Sequence, residues 1–330
     1  MDFNRYHILG IALLALLCAA SCKKDKTEDF LYLTGSPEFS MPIFSVAGDT
    51  FTFTAKGVTA DDGTKVRYYW YNSPYRSAKD TTDTYSVTIT DTLCTVTVYC
   101  VAFADGYYNS SASQSTIILK PGRDGGSISG LESVEGRDFM FTDSRDGHEY
   151  LCTTVGGKDW FRENLAYKGS GIPLENCDAA SDVFGRFYTW REAVSACPEG
   201  WRLSTLSDWA DAAATSMGTT PDPKERYYSA AGAFMGDLYL NGKKIWEYWP
   251  EVKITDRLGL SMIPLGYANK AEGKADFKSM YDYAAFWTAD EKDAEQAYYR
   301  YFYDESPDLF IGSTSKSSFA ANVRCVRDHE

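Results

Sequence analysis

The sequence predicts a multi-domain chain, an all-β sandwich followed by an α+β domain. Three observations point there. First, 330 residues are too many for one ordinary small domain and fit two of roughly 100–200 residues each. Second, Met41–Lys120 alternates apolar and polar residues between turn signals. Third, two short capped helices lie inside a later segment otherwise rich in strand patterns. A hydrophobic share of 44% with 24% charged residues excludes a disordered chain. The 33 Lys+Arg against 46 Asp+Glu give a net charge of −13, which argues against a nucleic-acid partner.

Residues 1–21 read as a signal peptide. Arg5 precedes the apolar run Ile8–Ser21, which is too short to span a bilayer core needing about 20 residues. Ala19-Ala20-Ser21-Cys22 followed by Lys23 and Lys24 resembles a bacterial lipobox, with Ala19 where Leu is usual. That resemblance implies lipidation of Cys22, a membrane partner through the lipid anchor, and an outer-membrane lipoprotein exposed at the cell surface. The plainer reading is a secretory signal that ends near Cys22, or an anchored helix. Residues 22–40 are expected to be a tether.

Residues 41–121 form the predicted sandwich. Phe51–Thr54, Val66–Tyr71, Tyr85–Ile89 and Thr92–Phe103 are strand candidates. Turns at Asp61-Asp62-Gly63, Asn72-Ser73-Pro74 and Asp105-Gly106 separate them. With Trp70 in a central strand, the segment resembles an immunoglobulin-like module. Cys94 and Cys100 lie about 20 Å apart on a regular strand, too far for a mutual disulfide, and are expected to be small buried residues. Residues 122–133, with four glycines in Gly122–Gly130, are expected to be an interdomain linker.

In residues 134–330, Thr189-x-x-Glu192 is a capping box whose helix should run to Pro198. Thr205-x-x-Asp208 opens a second helix, with Trp209, Ala212, Ala213 and Met217 on one face and Gly218 at its end. Glu149–Val155, Leu260–Leu265, Ala284–Thr288, Ala297–Tyr303 and Phe319–Val326 are strand candidates. Tyr299, Tyr301 and Tyr303 alternate with equally bulky Tyr298, Arg300 and Phe302, which predicts a central strand covered on both faces.

GKDWFRENLAY, GRFYTWREAVSACPEGWRL, LGLSMIPLGY, YAAFWTADE, AYYRYF and ANVRCVRD, in this order, resemble the Fibrobacter succinogenes major paralogous (FISUMP) domain. The resemblance covers about Val134 to Asp328. It implies a C-type-lectin-like fold, distantly akin to the formylglycine-generating enzyme fold. It also implies surface lipoproteins of Bacteroidetes and Fibrobacteres, often with immunoglobulin-like modules in front. No established activity comes with it. Arg202 and Ser204 stand where the family usually has His and Pro, and Cys177 lacks the family's local partner.

Four cysteines in an exported domain read as two disulfides with three connectivities open. The lectin-like resemblance implies Cys197–Cys325, which leaves Cys152 with Cys177. Catalysis finds little support: the histidines are His7, His148 and His329, and no C-x-x-C occurs. No metal or cofactor is predicted. Asp290 and Glu291 beside Trp287 are the best acidic pair. Trp160, Trp190, Trp201, Trp209 and Trp287 sit in family motifs and are expected in the core. Trp246, Tyr248 and Trp249 lie outside the motifs, and Tyr281 and Tyr283 flank Asp282. With Asp290 and Glu291, these are the candidate ligand-binding residues, since exposed rings stack on sugars and peptides. The expected function is a non-catalytic binding or adhesion module for a glycan or a surface protein. The alternatives are an assembly subunit of a surface appendage and, remotely, a formylglycine-generating-type enzyme.

Overall fold

The computed structural model describes residues 30–73, 83–90, 92–123, 125–246, 252–271 and 273–330. The chain is mostly β, with 43% strand against 11% helix, as a β-rich multi-domain chain requires. It divides into two compact units. The described residues of the first lie within Met1–Ser40, Thr52–Ser86 and Thr97–Gln114. The second comprises Met41–Phe51, Val87–Val96 and Ser115–Glu330.

The first unit is held by strand pairing around one tryptophan. β1 (Leu31–Tyr32) runs parallel to β7 (Tyr107–Tyr108), and β4 (Arg67–Ser73) runs antiparallel to β6 (Thr95–Phe103) with Trp70 opposite Cys100. β3 (Thr50–Thr54) pairs with β5 (Thr84–Thr88). Alternation along β6 sends Val98, Cys100 and Ala102 inward, all fully buried. Trp70 is fully buried too, with the rings of Phe39 and Tyr85 at 5.2 and 5.7 Å. Cys94 departs from the expected burial: it lies exposed, just before β6 begins, where no core face is yet formed.

The second unit is built from several small sheets. β2 (Phe44–Ser45) runs parallel to β8 (Ser110–Ile118) through Phe44 and Ile117. One sheet has the order β10 (Asp138–Thr142), β11 (Glu149–Val155), β12 (Lys158–Phe161), β24 (Cys325–Asp328), β15 (Arg202–Leu203). Another runs β13 (Ile172–Pro173), β14 (Arg186–Thr189), β23 (Phe319–Ala321), β18 (Tyr267–Ala271), β19 (Lys274–Lys278). β20 (Tyr283–Glu291), β21 (Gln296–Tyr303) and β22 (Phe310–Ser315) form a meander with β21 in the middle, as its bulky two-faced pattern predicts. β17 (Lys243–Lys244), β16 (Tyr239–Leu240) and β9 (Ile128–Ser129) complete the set.

Among the described residues four short α-helices interrupt these strands, α1 (Asp178–Phe184), α2 (Trp190–Ala193), α3 (Leu206–Met217) and α4 (Ala231–Phe234), with a 3-10 turn at Leu174–Asn176. Both capping boxes form, at Thr189/Glu192 and Thr205/Asp208, and Gly218 ends α3 in the left-handed conformation at φ 77°. α3 buries Trp209, Ala212 and Ala213 and leaves Met217 exposed. α2 stops at Ala193, short of Pro198, because the chain tightens into turns before Cys197.

Three expectations change. Residues 122–133 are not an unpacked linker. They lie in the second unit, contribute β9, and place Arg123 on Glu163 at 2.5 Å. The predicted strand Leu260–Leu265 is irregular. Ser261 sits at φ 46° and gives its N–H to Asp256 instead of a ladder, leaving one bridge between Met262 and Met235. The single strand Phe319–Val326 is two, β23 and β24, because Asn322 leaves the ladder. Its N–H bonds Ala285 O and its side-chain amide bonds Arg186 O.

Candidate functional site

A cleft of about 830 Å³ opens in the second unit. Its walls come from the chain before β10, the turn at His148, the residues after β12, the C-terminal end of α1, Ser261 and Arg324. Its floor is fixed by side chains that bond over long sequence distances.

Arg324 lies in the break between β23 and β24 and is 1% exposed. Its Nε donates to Asn164 Oδ1 at 2.9 Å, and Nη1 donates to Phe161 O at 3.0 Å and Leu260 O at 2.8 Å. Among the described residues Nη2 has no acceptor and no carboxylate lies within ion-pair distance of this guanidinium, although Glu163 and Asp256 act on it from further off. Burial pushes Arg324 down to about 9, so it is still protonated at neutral pH. Asn164 is itself held by donating to Phe184 O at 3.0 Å. Gly185 makes that possible: at φ +78° a Cβ there would stand 2.6 Å from Asn164 Cβ.

Two other arginines line the cleft, and both are neutralised. Arg162 donates from Nη1 to Asp138 Oδ2 at 2.6 Å and Glu132 O at 2.8 Å, and from Nη2 to Ser261 Oγ at 2.7 Å. Burial alone would raise the Asp138 carboxyl, but bonds from Arg137 and the Val134 N–H outweigh it and hold it below its usual range. Arg123 donates to Glu163 Oε2 at 2.5 Å and Glu149 O at 2.8 Å, and Glu163 also accepts the Leu151 N–H at 2.7 Å. Behind the cleft, burial pushes the Asp256 carboxyl up despite two bonds from Ser261.

The residues expected to bind ligand are not brought together. Trp246 is fully buried, donates its indole N–H to Met262 O at 2.9 Å and packs 5.8 Å from Phe302, so it is core and not a ligand platform. Tyr248 and Trp249 lie outside the described residues. Tyr283 is half-buried, with Tyr301 and Tyr303 rings at 5.2 and 6.4 Å, and burial pushes its hydroxyl far up. Tyr281 packs at the edge of the cluster around Leu265 and Ala268. Asp290 accepts the Leu206 N–H at 2.7 Å, satisfying the first turn of α3, and Glu291 pairs with Lys316. None of the described candidates lines the cleft.

The Cys197–Cys325 disulfide is formed, across a separation of 128 residues. The Cys152–Cys177 bridge is not. Cys152 is buried beside Phe161, Trp201 and Cys325, whereas Cys177 precedes α1 and packs with Phe184 and Phe187 in a different cluster. Burial pushes the Cys152 thiol far up and the Cys100 thiol up to about 12, so both stay protonated. Of the tryptophans expected in the core, Trp160, Trp201, Trp209 and Trp287 are buried, and Trp190 is half-buried with its indole N–H on Thr288 O.

Sequence reasoning missed Arg162, Asn164 and Arg324, although the quoted motifs contain all three. The available signal was a charge inside an otherwise small and apolar run, Ala320–Val326.

Fold and cleft together define a β-rich, multi-domain chain whose site is preorganised by its own buried polar groups. The chain belongs to the Fibrobacter succinogenes major domain family, whose sequence model matches residues 153–327, a little over half of it. Among curated proteins nothing matches the chain.

Proposed function

We propose that the protein is a non-catalytic binding module of the cell envelope, with the family domain gripping a glycan. In this reading residues 41–121 are an immunoglobulin-like spacer, the family domain has a C-type-lectin-like fold, and lipidated Cys22 tethers both to the outer membrane. The observation that carries the reading is the cleft: its polar groups are pinned by bonds to neighbours over 20 to 160 residues away, which suits holding a ligand in one orientation. The formylglycine-generating alternative needs reactive thiols. Cys197 and Cys325 are bonded to each other, and none of the described cysteines lines the cleft.

A second reading, an assembly subunit making protein contacts, has its own support. Phe30, Leu31, Tyr32 and Tyr108 are 42–76% exposed on the β1–β7 pair, with the Tyr32 and Tyr108 rings 4.9 Å apart. A glycan array and a pull-down, each run with wild type, Ser133→Trp at the cleft rim and Tyr32→Ala, separate the two. Glycan binding lost in Ser133→Trp supports the first. A protein partner lost in Tyr32→Ala, with no sugar signal, sinks it in favour of the second.

A further inference from the structure

Among the described residues Arg324 is a buried charge with no carboxylate within ion-pair distance; the acids that act on it from further off, Glu163 and Asp256, take their bonds from Arg123 and Ser261. A buried guanidinium that has only neutral acceptors leaves a net positive charge in a low-dielectric setting, which is costly unless an anion completes it. Three of its bonds, two from Nη1 and one from Nε, go to Phe161 O, Leu260 O and Asn164 Oδ1, all uncharged. The nearby carboxylates are already engaged: Asp138 by Arg162 and Arg137, Asp256 by Ser261 and, at 3.7 Å, Arg162, and Glu163 by Arg123. The remaining donor, Nη2, belongs to the one end of the group left over, and Arg324 lines the cleft.

We infer that the cleft floor binds the carboxylate of an acidic sugar residue, with Arg324 Nη2 as its donor. This deepens the glycan reading above and rests on it.

The chemistry selects this class in three steps. One positive charge without a directly bonded carboxylate matches one carboxylate, whereas a phosphate dianion would exceed it. Nη1 is already occupied, so the contact is end-on through a single nitrogen and not the bidentate fork that a free arginine offers. Asn164, Ser261 and Ser181 inside the cleft are bonded to protein neighbours, so its rim presents the donor and acceptors, Ser133, Glu132 and Glu149, all exposed. Such a mixture suits the hydroxyls of a sugar ring, and the rim carboxylates would repel a ligand carrying several negative charges, such as an acidic peptide.

The test uses neutral oligosaccharides that end in a single galacturonate, glucuronate or sialate residue, each against its carboxyl-reduced counterpart, titrated calorimetrically into the protein. The expected result is that at least one acid form binds tenfold or more tightly than its reduced form. Ser133→Trp, which fills the rim without touching the core, should weaken that binding at least tenfold with an unchanged melting temperature. Arg324→Lys should weaken it as well. Should the lysine variant fail to fold, the rim variant still decides. Equal binding of acid and reduced forms overturns the inference and leaves the glycan reading standing. Tight binding that is indifferent to Ser133→Trp overturns it too, since the site is then elsewhere. If no sugar, acidic or neutral, binds at all, the inference and the glycan reading fall together.

Discussion

At the scale of single residues, burial separates the roles that composition left mixed. Trp209 is expected in the core and Trp246 at a ligand site, yet both lie in the same core cluster, fully buried. Trp246→Ala should therefore cost about 3–5 kcal/mol of stability, the usual range for emptying a large aromatic site. Denaturant unfolding would check this. A variant as stable as wild type would mean the ring is not core. The charged residues divide in the same way. Asp208 accepts two bonds from Arg202, at 2.6 and 2.9 Å, and others from Thr205. Burial would raise its carboxyl, and these bonds outweigh burial and lower it. Asp138, Asp143 and Asp159 are lowered by arginine and hydrogen-bond partners in the same way, again against burial. Each is a carboxylate whose folded form holds its proton less tightly than the unfolded chain does. Each contributes stability that is present above about pH 4 and is lost as pH falls through the depressed folded values. Asp256, raised by burial, works in the opposite direction. Glu175 and Asp304, also raised by burial, act with it, but the lowered carboxylates outnumber the raised ones, so the melting temperature should be lower at pH 3 than at pH 7. An equal or higher value at pH 3 would count against these pairings.

At the scale of elements, the strongest constraint is the Cys197–Cys325 bond between the turn after α2 and the start of β24. Closing a loop of this length removes unfolded-state freedom worth roughly 5 kcal/mol on the chain-entropy model. Cys197→Ser with Cys325→Ser should lose stability of that order, read by urea unfolding with and without a reductant. Reductant should destabilise wild type and leave the double variant unchanged. The helices need less support from afar. α3 starts where Thr205 and Asp208 reciprocate their bonds and stops where Gly218 turns left-handed, all within fourteen residues.

For the whole molecule, the segment before β10 matters more than its glycines suggest. Ile128 and Ser129 pair with Leu240 and Tyr239, and Arg123 and Glu132 bond to the residues after β12. A chain begun at Val134 keeps the whole family match but loses these ties and one wall of the cleft. It should melt below the full chain and lose any ligand that binds in the cleft. A full-affinity truncated chain would place the site elsewhere. The sequence showed much of the frame. Glu149–Val155 is a strand with the bounds its pattern predicts, and the meander around β21 follows from its two bulky faces. Leu260–Leu265 misled, because an apolar run carries no sign that Ser261 will turn left-handed to meet Asp256. The cleft was legible only as fragments. Its floor joins Arg324 to Asn164 across 160 residues, and no local pattern announces such a bond.

By itself the sequence determined the family, both capped helices and the inward face of most long strands, because caps and alternation act between residues a few positions apart. Only the tertiary structure decided that Trp246 is core, that Cys152 and Cys177 stay apart, and that one arginine is left without a counter-ion. For that arginine, Arg324, what is missing is a directly bonded carboxylate; these outcomes depend on which distant segments meet, and burial and charge pairing are properties of the meeting.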